Sequence, residues 1–386
     1  MKRRLLLFIL IIIFLSNHNS LIYGELEGQY RGDIWNLLNY YRINMALVTY
    51  KEIQNNGGWP VFPENVFLKK GDTGYFVSLL RERLYITGDL EKEYFATEMM
   101  DIFDEDLQNA LIRFQYRHGL VEDGVLGFET IKALNEPVSE KIRKLELNRR
   151  LIYSLFDDYI YRYVLVNIPA YQLQVIEDGQ EVMRMKAIIG KKKRKTPVYS
   201  DKIRYIVLNP SWRIPNTMAV NDIIPRVKND IKYLEKRNIS VFENWSDSAN
   251  RLNPEKLNWS EYNINNFNFR FEQEPGPDNE LGMVKFMFPN QHSIYIHDTP
   301  HKELFEHNKR AYSSGCIRIE EPLNLAVYIL KDQENWSKEE ILRIIDSGET
   351  EEVELEEAIP VFIVYWTAWV EENGLVHFRE DIYDMN

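Results

Sequence analysis

The sequence predicts an α+β multidomain protein: a small three-helix module, then a β-rich domain of sandwich or barrel type that carries a long insertion. Three observations predict it. The chain has 386 residues, more than one compact core usually takes. Residues 65–136 carry apolar side chains at helical spacing. From Tyr163 onward the apolar period falls to two, which suits short strands.

Each element follows in order. Lys2, Arg3 and Arg4 precede the apolar run Leu5 to Leu15. That run is shorter than the ~20 residues of a spanning helix. A basic flank with a short apolar stretch reads as a targeting segment. Residues 1–24 are therefore expected to be a signal peptide, with an N-terminal membrane anchor as the alternative. No cysteine follows the run, which excludes a lipoprotein signal. Residues 26–64 and 137–160 read as a helical scaffold, interrupted by Gly57-Gly58-Trp59-Pro60. Within 65–136, Val77, Leu80 and Leu84 mark a first helix that Gly88 ends. Asp104 is placed to cap a second helix with Leu107, Ala110, Leu111 and Phe114 on one face. Asp123-Gly124 makes a turn, and a third helix runs from Phe128 to Leu134. His118 has no ligand partners nearby and reads as a helix-end residue.

Residues 161–345 form the β-rich domain. Strands are expected at Tyr163–Ile168, Leu173–Ile176, Val182–Ile189, Ile203–Leu208, Val284–Phe288, Ser293–His297 and Val361–Trp366. Asp178-Gly179 is a hairpin turn. Residues 221–282 break the pattern: an amphipathic helix from Asp222 to Leu234, then a polar stretch ending at Pro275-Gly276-Pro277. An insertion this long in a β domain is usually functional, often a lid. Residues 346–386 are expected to be C-terminal strands packing on this domain.

Composition narrows the function. Hydrophobic residues at 45% and charged residues at 27% are globular values, so most of the chain folds. A net charge of -12 with no long basic stripe excludes a nucleic-acid partner. The run Lys191 to Lys195 sits at a strand end and reads as a solvated loop. Cys316 is the only cysteine. An exported protein uses cysteines mainly in pairs, so a lone thiol is either an inert apolar residue or a reactive one.

The surrounding residues favour reactivity. Ser293-Ile294-Tyr295-Ile296-His297-Asp298-Thr299-Pro300 precedes Ser313-Ser314-Gly315-Cys316-Ile317-Arg318. A thiol needs help to ionise at neutral pH, and His297, at the end of an alternating strand, can supply it. Gly315 lets backbone N–H groups approach a substrate carbonyl, and with the Cys316 N–H they would form an oxyanion hole. Glu321-Pro322 then opens an apolar helix to Leu330 that would pack behind the nucleophile. The residues call for no cofactor and no metal.

These segments resemble the L,D-transpeptidase catalytic domain family (YkuD type), and within it the large YcbB-like branch. The family pattern is a histidine, a short stretch, then Ser/Thr-His-Gly-Cys. Val166–Tyr171, Thr196-Pro197-Val198, Asn209–Trp212, Val284–Asn290 and Tyr365–Val370 extend the likeness. Phe114–Leu120 with Asp123–Gly127, Thr130 and Ala133–Asn135 resembles the peptidoglycan-binding three-helix module of cell-wall enzymes. The resemblance implies a β-rich catalytic domain, a Cys316 nucleophile, a capping subdomain at about 221–282, and a peptidoglycan-binding module at 65–136. It implies an acyl-transfer enzyme that makes 3→3 peptidoglycan cross-links, with an L,D-carboxypeptidase or cross-link hydrolase, or a non-catalytic wall-binding protein, as alternatives. Partners would be stem peptides and glycan, with the membrane through the N-terminus and other cell-wall synthesis enzymes in prospect. The location would be the periplasm, and carbapenems would acylate Cys316. His297 handles protons with Asp298 orienting its ring through the backbone. Arg318 is placed to meet a substrate carboxylate or to form a structural salt bridge. Trp212 and Tyr295 line the pocket or pack the core. Ser314 replaces the family's second histidine, so that residue's orienting role falls to a hydroxyl or is lost.

Overall fold

The computed structural model describes residues 31–91, 100–153, 155 and 160–385. The expected targeting segment at 1–24 lies outside them. Among the described residues no helix is long and apolar enough to cross a membrane. The chain divides into two compact units. The first holds the residues up to Tyr161 and Ala368–Phe378, and the second holds Arg162–Thr367 and Arg379–Met385.

The first unit is helical: α1 (Arg31–Asn55), α2 (Tyr75–Ile86), α3 (Glu105–His118), α4 (Phe128–Leu134) and α5 (Val138–Tyr153). The expected stripes form its core, with Val77, Leu80, Leu84, Leu107, Leu111, Phe114 and Leu134 fully buried. Asp104 caps α3 by accepting the Leu107 N–H at 2.9 Å. The same carboxylate holds the buried Arg81 at 2.7 Å. Gly119 ends α3 in the left-handed region at φ 66°, where glycine carries no Cβ penalty. His118 is the last residue of α3, as expected. Its Nδ1 pairs with the Phe114 carbonyl at 2.8 Å, and its ring stacks on Phe114.

The second unit is β-rich. Its strands are β1 (Arg162–Asn167), β2 (Gln172–Glu177), β3 (Gln180–Gly190), β4 (Tyr199–Leu208), β5 (Trp212–Ile214), β6 (Ile239–Phe242), β7 (Arg270–Gln273), β8 (Val284–Met287), β9 (Ile296–His297), β10 (Ala311–Ser313), β11 (Ile317–Ile319) and β12 (Glu351–Val364). The main sheet runs β10-β3-β11-β9-β8-β4-β12-β1-β2, and β2 pairs back onto β3. Eight strands therefore close on themselves, leaving β10 as an appendix of β3. Closure removes the exposed edges that an open sheet would present. The helices α6 (Pro322–Leu330) and α7 (Lys338–Ser347) bury Leu325, Ala326, Ile329, Ile341 and Ile344 in the same core.

The insertion begins earlier than expected. Trp212–Ile214 already belongs to a separate three-stranded sheet, β5-β7-β6, so the 221 boundary moves back to about 212. This short strand is hidden in sequence because Pro215 ends it after three residues. The expected helix Asp222 to Leu234 is broken into pieces. A wide turn covers Ala219–Ile223, and short helices cover Ile224–Asn229 and Lys232–Lys236. Pro225 has no N–H to give the preceding turn, and Asp230 is extended at φ -149°. The insertion keeps its own core of Trp212, Ile214, Ala219, Leu234, Trp259, Phe267 and Phe271.

Two strand expectations need correction. Ser293 takes a left-handed φ of 53°, which cuts the expected 293–297 strand down to Ile296–His297. The C-terminal region does not simply pack on the β domain. Residues 351–364 form an internal strand of the closed sheet, between β4 and β1. Residues 368–378 form a hairpin that belongs to the helical unit, where Lys141 lies 4.4 Å from the Phe378 ring. The acidic first half of β12 masks its alternation in the sequence.

Candidate active site

Strand register builds the site. Ile317 sits opposite Ile296, and Phe286 opposite Ile296 on the other side. These three side chains are fully buried in the core. Side chains alternate along a strand, so their neighbours point to the opposite face. Arg318 pairs with His297, and His297 with Lys285. Cys316 and Tyr295, one residue earlier on each strand, share that face, and the Ile317 N–H donates to the Tyr295 carbonyl at 3.0 Å. Thus Cys316, Arg318, Tyr295, His297 and Lys285 form one outward patch. The insertion meets it through Trp212, whose indole N–H donates to the Tyr295 hydroxyl.

The thiol of Cys316 is half-buried. Burial pushes its pKa up, because the thiolate loses water. Hydrogen bonds from the Tyr295 N–H and hydroxyl oppose that, as do the positive charges of Lys285 and Arg318. Its Sγ lies 4.0 Å from the Ser293 carbonyl oxygen. A donor chain therefore runs from the Trp212 indole through the Tyr295 hydroxyl to sulfur.

His297 is 4% exposed, and burial drives its pKa well below the usual imidazole range, helped by the charges of Arg318 and Lys285. The main-chain carbonyls of Asp298 and Leu281, as hydrogen-bond acceptors, act in the opposite sense. Its Nδ1 has no partner. In the tautomer that carries its proton on Nε2, the Nδ1 lone pair is free to accept a proton. The Asp298 carboxylate does not touch the ring. It accepts the Met283 and Thr299 N–H groups at 2.9 and 2.7 Å and pairs with Lys302. Gly282 lets this happen: at φ 60° it is left-handed, and a Cβ there would lie 2.3 Å from the Asp298 carboxylate.

The loop before Cys316 departs from expectation. Gly315 has φ 125°, a conformation that suits glycine. Its N–H donates to the Ser313 hydroxyl oxygen at 3.1 Å, and that hydroxyl donates to the Cys316 carbonyl at 2.6 Å. The Gly315 N–H is therefore spent and cannot serve an oxyanion, which corrects the expected role. The Cys316 N–H has no partner among the described residues. The Gly315 carbonyl accepts from the Thr196 hydroxyl at 2.8 Å, and the Thr196 oxygen accepts the Gly190 N–H at 2.8 Å. Ser314 is exposed and accepts from Arg194 at 2.9 Å, while Arg194 pairs with Asp222 at 2.7 Å. Ser314 therefore supports the rim of the site, and no hydrogen bond joins it to the thiol. The basic run 191–195 is mostly exposed as expected, but Arg194 ties it to the nucleophile loop.

Arg318 is mostly buried, with its side chain 18% exposed, and its Nε has no partner. Its one ion pair is long, 3.5 Å to Glu280, which also holds Arg237 and His301. Sequence reasoning missed Lys285, Glu280 and Thr196. No local signal marks Lys285, because one lysine in an alternating strand looks like any solvent-facing residue. Among the described residues no cluster of His, Cys, Asp or Glu could hold a metal ion.

Residues 161–339 match the L,D-transpeptidase catalytic domain (YkuD), and residues 73–134 match the family described as "Putative peptidoglycan binding domain". A Haemophilus influenzae protein described as "Putative L,D-transpeptidase" is 34% identical over 241 residues, covering 62% of this chain and 47% of the relative. The chain thus spans about half the length of that curated relative. Among solved structures, an L,D-transpeptidase from Stackebrandtia nassauensis is 15% identical, covering 77% of this chain and 94% of that chain, with a TM-score of 0.27. One from Mycobacterium smegmatis is 13% identical, covering 53% and 58% of the two chains, with a TM-score of 0.24. The assignment rests on the sequence matches: residues 161–339 are a domain of L,D-transpeptidase catalytic (YkuD) type, and residues 73–134 are a domain of peptidoglycan-binding type.

Proposed function

We propose that this protein is a cysteine L,D-transpeptidase that forms 3→3 peptidoglycan cross-links. The observation that carries this reading is the free thiol of Cys316, hydrogen-bonded by Tyr295, on the same sheet face as a buried histidine with an unpaired nitrogen. Cys316 attacks the carbonyl after the third residue of a tetrapeptide stem, and His297 Nδ1 takes the thiol proton. The developing oxyanion meets the Cys316 N–H. The C–N bond to D-Ala breaks, His297 returns the proton to the leaving amine, and a thioester remains. The side-chain amine of a neighbouring diaminopimelate then attacks the thioester. His297 takes its proton and passes it to the departing sulfur, which regenerates the thiol.

Arg318, with five donors and a single long ion pair, is the carboxylate-binding residue of this scheme. Trp212 and Tyr295 form the wall that the insertion closes. The module at 73–134 docks the glycan, and the site of action is outside the cytoplasm, where such substrates are found. Incubation with purified muropeptides tests the reading. New tripeptide–tetrapeptide dimers are expected, together with a carbapenem adduct on Cys316 by mass spectrometry. Tripeptide monomers alone would mean that water replaces the amine, and full activity in Cys316→Ala would end the proposed mechanism.

A further inference from the structure

Lys285 is the unexpected member of the outward patch. Its strand, β8, otherwise contributes Val284 and Phe286 to the core. Register places it in one cross-strand row with Glu352, Val207, His297 and Arg318. Among the described residues Lys285 forms neither an ion pair nor a hydrogen bond. Its ammonium lies instead 4.2 Å from the centre of the Tyr295 ring, the residue whose N–H and hydroxyl bond Cys316. A largely buried ammonium without a carboxylate is costly, and the face of an aromatic ring compensates only in part.

We propose that Lys285 is a positioning residue for the transfer reaction: its ammonium holds the Tyr295 ring against Cys316 and favours the thiolate over the thiol. The inference rests on Cys316 being the nucleophile. The charged and titratable groups around that sulfur are few. They are Tyr295 just before β9, His297 on β9, Lys285 on β8 and Arg318 on β11, with Glu352 of β12 beyond Lys285 and Glu280 beyond Arg318. Two cations and one hydroxyl thus face the thiol, and no carboxylate adjoins it. Positive charge has a second effect. It disfavours imidazolium at His297, so the same lysine that eases ionisation of sulfur keeps the base unprotonated. Thiol and imidazole are pushed in useful directions by one side chain.

The full chain has one cysteine, so alkylation by iodoacetamide reports this thiol alone. Rates would be measured across pH for the wild type, Lys285→Met, Lys285→Gln and Lys285→Arg. The expected result is about a tenfold slower reaction at neutral pH for the Met and Gln variants, with the profile moved up by about one pH unit. Arg is expected to restore most of the rate. In turnover the uncharged variants should lose kcat with little change in KM. A Met or Gln profile that superimposes on the wild type overturns the proposal, as does an Arg variant as slow as Met. The nucleophile reading fails separately, if Cys316→Ala keeps its transfer activity, because alkylation does not depend on turnover.

Discussion

His297 couples the site to pH. Unfolded, its imidazole takes a proton near pH 6.5; folded, it stays neutral to well below that value. Between those two values the unfolded chain binds more protons, so stability falls as pH falls. Calorimetry should show the midpoint of the β-rich unit dropping as pH is lowered from 7.5 through 6 and below. His297→Gln should lose part of that slope, and a slope unchanged by the substitution would refute the argument. At this scale the sequence was informative about chemistry and silent about partners. Cys316 and His297 stand in a recognisable pattern because the proposed nucleophile and base need those residue types. Lys285 did not stand out, since a lone lysine in an alternating strand looks like any solvent-facing residue. Only the β8–β9 register reveals its neighbours. Ser314 left open whether a hydroxyl takes the second histidine's orienting role, and its hydroxyl bonds Arg194, a residue far back in sequence.

Among elements, the turn after β3 supports the loop that carries Cys316. Thr196 is buried and its hydroxyl bridges the Gly190 N–H to the Gly315 carbonyl. Gly190 allows so tight a turn because a Cβ there would lie 2.2 Å from the Arg194 carbonyl oxygen. Thr196→Val keeps the shape and removes the bridge, leaving a donor and an acceptor buried without partners. Urea unfolding should show a loss of about 1–3 kcal/mol, with kcat falling as Gly315 loosens; wild-type stability would contradict this role. The same scale explains the errors in element boundaries. Helices of the first unit were legible because their caps and apolar stripes are local. The insertion was not, because Pro225 divides one apparent helix and Pro215 shortens a strand to three residues.

In the whole molecule, the chain leaves the β-rich unit after Thr367, supplies a hairpin to the helical unit, and returns at Arg379. Tyr383 then donates its hydroxyl to the Gly190 carbonyl, accepts the Thr196 N–H at 3.2 Å, and offers its own carbonyl to Lys195 at 2.7 Å. The last residues thereby brace the turn that braces Gly315. A chain stopped at Thr367 should lose stability in both units, with faster limited proteolysis on each side of residue 161; protection equal to the full chain would disprove the double role. Local sequence patterns do not reveal such an arrangement, because it joins segments from opposite ends of the chain.

The closed sheet has a consequence in time. Val164 in β1 pairs early with Val175 of β2 but finds its second neighbour only in Val361 of β12, so the ring stays open until almost the whole polypeptide has been made. Pairings this distant must bear the entropy of a long loop before they gain anything. A chain emerging from its N-terminus would thus carry β1 in an unfinished sheet for most of its synthesis, and its thiol from residue 316 until β12 arrives. The proposed site is thus completed late, with its sheet left open until β12 arrives.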